Sequence, residues 1–133
     1  DASDASRINL TDTREEISSK IKKAKTDSHP LPETIEELSK RPEALNLINI
    51  YSSLSNQSIN QTLSQFSGKG FSFFKPKLID LAIETLNPIS FEMRKLLNDR
   101  KEIDKLLRNG GDNARKIAES VLKQVKELVG FVI

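Results

Sequence analysis

A chain of 133 residues, 36% apolar and 30% charged, has room for one modest helical domain with a real core and too little for two ordinary domains. With no cysteine there is no disulfide framework or thiolate zinc site, and a single histidine excludes a histidine-rich metal cluster. No apolar run approaches the roughly 20 residues that a membrane span needs, no signal-peptide pattern opens the chain, and a net charge of +2 says nothing by itself about nucleic acid; the totals fit a cytoplasmic protein.

Residues 1–12 read as a polar loop followed by the short extended pattern Arg7-Ile8-Asn9-Leu10. Thr13 and Glu16 then form a capping box, and Ile17, Ile21 and Ala24 follow at helical spacing with the lysines outward. Ser28-His29-Pro30-Leu31-Pro32 breaks that helix. A short helical turn is expected over 33–40 with Ile35 and Leu38 inward, and Pro42 suits the first turn of the next helix. That helix carries Leu45, Ile48, Tyr51 and Leu54 on one face, widened by Leu47 and Ile50. Ser58 and Gln61 make a second capping box, opening a helix that buries Ile59, Leu63 and Phe66.

Gly68-Lys69-Gly70 stops it, and Ser72 is the expected cap of a long helix whose buried face runs from Leu78 to Leu97. Pro88 should kink that helix in its middle. Asp99 and Glu102 can cap a short helix bearing Ile103, Leu106 and Leu107, which Gly110-Gly111 should stop. A last helix from Asp112 ends at Gly130, and its stripe of Ala114, Ile117, Ala118, Val121, Leu122, Val125 and Leu128 needs something to dock on. The fold class is therefore all-α: a helical bundle with a kinked long helix and a terminal amphipathic helix.

No Walker loop, G-x-S-x-G elbow, H-E-x-x-H motif or spaced metal-ligand set is present, so no catalytic, cofactor-binding or metal residue is assigned. His29 reads as an exposed loop residue, and Asp12 and Asp27 as carboxylates at caps or on exposed faces. Phe71, Phe73 and Phe74 beside Lys69, Lys75 and Lys77 superficially suggest a stacking platform, but a hydrophobic plug at a bundle end explains them better. Two basic clusters stand out, Arg14 with Lys20, Lys22, Lys23 and Lys25, and Arg94 with Lys95, Arg100 and Lys101. Such runs are usually solvated helix faces; the second is the candidate for contact with RNA phosphates.

Several segments, taken in order, resemble the bacterial tryptophanyl-tRNA synthetases. Ser6-Arg7-Ile8-Asn9-Leu10-Thr11-Asp12, Lys20-Ile21-Lys22-Lys23-Ala24 and Thr26-Asp27-Ser28 resemble the stretch directly after that family's KMSKS loop, with Asp1 at the position of the acidic residue that follows it. Arg41-Pro42, Asn46 to Tyr51, Phe66 with Gly68 to Phe71, Phe74-Lys75, Leu86-Asn87-Pro88-Ile89 and Val125 to Phe131 continue the match. The family often has tyrosine where Phe71 stands and glycine near Glu43-Ala44. The resemblance implies a class I enzyme that activates tryptophan with ATP and magnesium and transfers it to tRNA(Trp), as a homodimer in the cytoplasm. It implies that residues 1–12 follow the catalytic lysine loop, residues 13–111 form the anticodon-associated helical domain, and residues 112–133 are a helix docking on a nucleotide-binding domain that precedes Asp1. By this reading the chain alone is inactive and serves tRNA recognition and domain motion. Without the resemblance, composition and periodicity favour a different class: an independent helical adaptor whose terminal helix binds a protein partner.

Overall fold

The computed structural model describes residues 4–130; Asp1 and Phe131, at the two ends of the resemblance, lie outside the described residues. Among the described residues the regular structure is wholly helical, and the chain divides into two compact units, Asp1–Met93 and Arg94–Ile133.

The first unit opens with a single 3-10 turn, Asp4–Ser6, and a loop leading to helix α1, Arg14–Lys23. The capping box predicted from Thr13 and Glu16 is present, with the Glu16 amide donating to the Thr13 hydroxyl and the Thr13 amide to the Glu16 carboxylate. Helix α2, Ile35–Ser39, is one turn long and capped by Thr34. One turn has room for one buried position, and Leu38 takes it; Ile35, expected inward, is exposed. Helix α3, Pro42–Ser55, starts on its proline as expected and buries Ala44, Leu47, Ile48 and Ser52, so its deepest line lies one residue off the predicted Leu45–Leu54 stripe. Asn56 ends it in the left-handed region at φ 55°, and the predicted Ser58–Gln61 capping box opens helix α4, Ile59–Phe66.

Gly68 has φ +72°, a left-handed conformation that glycine adopts at no steric cost, and its turn is pinned on both sides. The Leu31 amide donates to the Lys69 carbonyl at 2.9 Å, and the Gly68 amide donates to the Leu31 carbonyl at 2.9 Å. The glycine turn thus fastens the proline-rich 28–32 segment and buries Leu31. Helix α5, Phe71–Asn98, begins directly from this turn: the amides of Phe73 and Phe74 both donate to the Gly70 carbonyl. Ser72, the expected cap, therefore stands inside the first turn, because Gly70 already supplies the opening acceptor.

Fully buried Phe74 is the centre of the core. Its ring meets Phe66 edge-on at 4.9 Å, and Tyr51 and Phe71 at 5.7 and 6.4 Å. Ile17, Ile21, Leu38, Ile48, Leu63, Leu78 and Ala82 close around this aromatic cluster. Phe71 and Phe74 plug the bundle as predicted, whereas Phe73 remains 46% exposed. The fully buried apolar face of α5 ends at Ala82, although Ser90 is also buried: Ile89 and Leu97, expected inside, are exposed, as is Phe91.

The second unit contains the end of α5 and helix α6, Arg100–Leu128, capped by Asp99 as expected. Gly110-Gly111 does not stop it. A glycine stop needs the left-handed conformation, which neither residue adopts, and a helical glycine costs only about 1 kcal/mol relative to alanine. Pairs at helical spacing, Glu102–Lys105, Asp112–Arg115 and Lys123–Glu127, brace the helix on both sides of the glycines. The stop at Gly130 is where the sequence placed it, with φ +76°. None of the α6 side chains is buried, and Ile117, Val121, Leu122, Val125 and Leu128 form an exposed apolar stripe.

Candidate nucleic-acid interface

Arg94 and Lys95 lie on the last turns of α5, and Arg100 and Lys101 open α6, all within the second unit. Arg94 is half-buried and the other three are exposed. Consecutive helical residues project about 100° apart, so the two members of each pair leave the helix in different directions. Downstream, Lys101, Lys105 and Arg108 border a shallow groove on α6 together with Asp104 and Asn109, and Lys105 is engaged by Glu102. The face is basic but mixed, with Asp104 and Asn109 among its cations.

Beside the exposed Lys25–Glu43 pair at 3.4 Å, three further charged contacts that the sequence did not disclose lie in the first unit. Asp12, expected at a cap or on an exposed face, is only 6% exposed. Its Oδ2 accepts from Lys20 Nζ at 2.7 Å and from the Asn9 amide at 2.9 Å. The same ammonium reaches Asp4 at 2.9 Å, and the Asn9 side chain donates to Asp4 at 2.8 Å. Lys20 thereby ties the 4–12 strap to α1. Burial pushes the Asp12 carboxyl up, but the Lys20 ammonium and the Asn9 groups outweigh it and hold Asp12 below its ordinary value of 3.8. The Lys20 and Asn9 contacts lower Asp4 likewise, and the two carboxylates raise Lys20 above 10.5.

Arg41 makes the second contact. It grips Asp27 through Nε and Nη2 at 2.9 and 2.6 Å and also donates to the carbonyls of His29 and Pro30. His29 is an exposed loop residue, as expected. The third is Lys75, whose ammonium donates to the carbonyls of Lys22 and Ala24 at 3.0 and 2.7 Å, closing the C-terminal end of α1. On the surface beside the glycine turn, Lys69 covers the exposed Phe73 ring at 4.5 Å from its centroid. That ring face is occupied, which weighs against a base-stacking platform there.

Replacing Lys20 with Met should lower Tm by about 5–10 °C at pH 7, because Asp12 would stay buried without its cation. The carboxylates of the network stabilise the fold fully above about pH 4 and cease to do so as pH falls through their lowered values; the Lys20 contribution is whole below about 10.5 and lost above its raised value. Thermal melts of the two proteins should therefore converge towards pH 2. Equal Tm values at pH 7 would remove the strap's anchor from the account.

The family model of tRNA synthetases class I (W and Y) matches residues 2–87. Similar proteins match over nearly the whole chain. The tryptophan–tRNA ligase of Caulobacter vibrioides is 50% identical over 131 residues, 98% of this chain and 38% of that protein. The tryptophan–tRNA ligase of Agrobacterium fabrum is 49% identical over 132 residues, 99% and 37% respectively. That of Rickettsia conorii is 43% identical over 133 residues, 100% and 40%. The chain belongs to the class I tRNA synthetases of the tryptophan and tyrosine type. Within that family its similarity is to the tryptophan–tRNA ligases, and it spans less than half the length of these relatives.

Proposed function

We propose that this chain is the carboxy-terminal helical part of a tryptophan–tRNA ligase, which activates tryptophan with ATP and magnesium and transfers it to tRNA(Trp). The observation that carries this reading is the near-complete match of the chain to relatives of that name. Adenylate formation needs preorganised positive charge around the phosphates in a water-poor cleft. In this reading that cleft belongs to a nucleotide-binding domain preceding Asp1, and the parent protein is a cytoplasmic homodimer. The helical part holds the anticodon end of the tRNA and moves relative to the nucleotide domain.

The strap and α6 suit this division of work. Residues 4–12 would follow the lysine loop, and the Lys20 anchor would make them move with α1. Burying each Val, Leu or Ile of the α6 stripe is worth about 1.5–3 kcal/mol, which is reason enough for a partner surface, here the nucleotide-binding domain. Arg94, Lys95, Arg100 and Lys101 are the proposed contacts to the tRNA backbone. Replacing all four with Ala in the full-length protein should weaken tRNA(Trp) binding about tenfold and flatten its salt dependence, measured by filter binding between 50 and 200 mM salt. Unchanged affinity would return the cluster to a solvated helix face.

A further inference from the structure

We propose that the outer face of α1 is a second phosphate-binding site for RNA, formed by Arg14, Lys22 and Lys23 with the hydroxyls of Ser18 and Ser19. The inference rests on the reading above and adds a site on the first unit, away from the 94–101 cluster in sequence.

The cations on and around α1 differ in how they are engaged. Lys20, Lys25, Arg41, Lys69 and Lys75 are engaged by carboxylates, carbonyls or a ring. Among the described residues, the side chains of Arg14, Lys22 and Lys23 make no such contact, and these three line one open groove of about 590 Å³ with Ser18, Ser19, Glu15 and Ile83. The groove carries three positive charges against the single negative charge of Glu15.

Spacing argues for a nucleic-acid strand. Arg14, Ser18 and Lys22 stand four residues apart, on one face of a helix rising 1.5 Å per residue, so the row is about 12 Å long. Glu15, Ser19 and Lys23 form a parallel row with a single carboxylate at its N-terminal end. A row of that length can face more than one phosphate of a nucleic-acid backbone. Cations alternating with small hydroxyls are the groups that contact phosphate oxygens without reading sequence, and Arg14 can grip one phosphate through two N–H groups. Ile83 offers the groove an apolar wall on the α5 side, suited to a ribose face.

The test is filter binding of tRNA(Trp) to the full-length protein and to its Arg14→Ala/Lys22→Ala/Lys23→Ala variant. The three side chains are exposed, so the variant should keep the wild-type circular dichroism and Tm; an Arg14→Gln/Lys22→Gln/Lys23→Gln variant provides the same reading if it does not. At 100 mM salt the affinity should fall at least tenfold, and the slope of log K against log salt should shrink by about 2–3, since each neutralised phosphate contributes about 0.7–0.9. Wild-type affinity and slope in a folded variant would overturn the groove alone. If that variant also changed its oligomeric state on sizing, the groove would be a protein contact instead. Failure of the wild-type protein itself to bind tRNA(Trp) would overturn the groove and the proposed function together.

Discussion

Phe74→Ala is expected to destabilise the first unit by about 3–5 kcal/mol, a large part of what holds a domain of this size together. The side chain is fully buried and touches the rings of Tyr51, Phe66 and Phe71, which come from three different helical segments. Truncation removes the ring's transfer free energy and leaves a cavity that these neighbours, fixed by the Leu31–Lys69 pairing and by the α4 cap, cannot easily fill. Urea unfolding should show a much lower midpoint for the variant. Phe73→Ala, two-sided control in the same turn, removes a half-exposed ring and should cost far less. Similar midpoints for both variants would displace Phe74 from the centre of the core.

That contrast between adjacent phenylalanines marks how far the sequence could be read. Features made by residues three or four apart were legible: the Thr13–Glu16 and Ser58–Gln61 boxes, Pro42 at its helix start, Asp99 as a cap and Gly130 as a stop. The all-helical class followed from them. Features made by residues far apart in the chain were not. Asp12 looked like a surface carboxylate because its burial depends on a loop folding against α1, and Lys20 looked like one more outward lysine for the same reason. Arg41 and Lys75 reach partners 14 and 51 residues away, and no periodicity announces them.

Helix limits failed where a local signal was read too strongly. Gly110-Gly111 permits a stop without enforcing one, and the helix runs through. The long apolar stripes of α5 and α6 were correctly seen, but amphipathicity states only that a face wants cover and not whether this chain provides it. Of the candidate site, the basic clusters were visible as composition. How the lysines and arginines on and around α1 differ in engagement became visible only with coordinates, and it is the unengaged set on α1 that lines a groove.

The central claim is that this helical chain belongs to a tryptophan–tRNA ligase whose chemistry is performed elsewhere in the polypeptide. Enzymes of this kind accelerate their reactions by at least about 10⁶-fold, and that acceleration depends on groups poised around the reacting phosphates. A helical part separated from those groups is expected to lose the reaction. Tryptophan-dependent pyrophosphate exchange, measured side by side on the isolated 133-residue chain and on the full-length protein, tests this most directly. The expected result is exchange by the full-length protein with tryptophan and not with tyrosine, and none above background from the isolated chain. Exchange by the isolated chain, or a full-length protein that responds to tyrosine or to neither amino acid, would contradict the account.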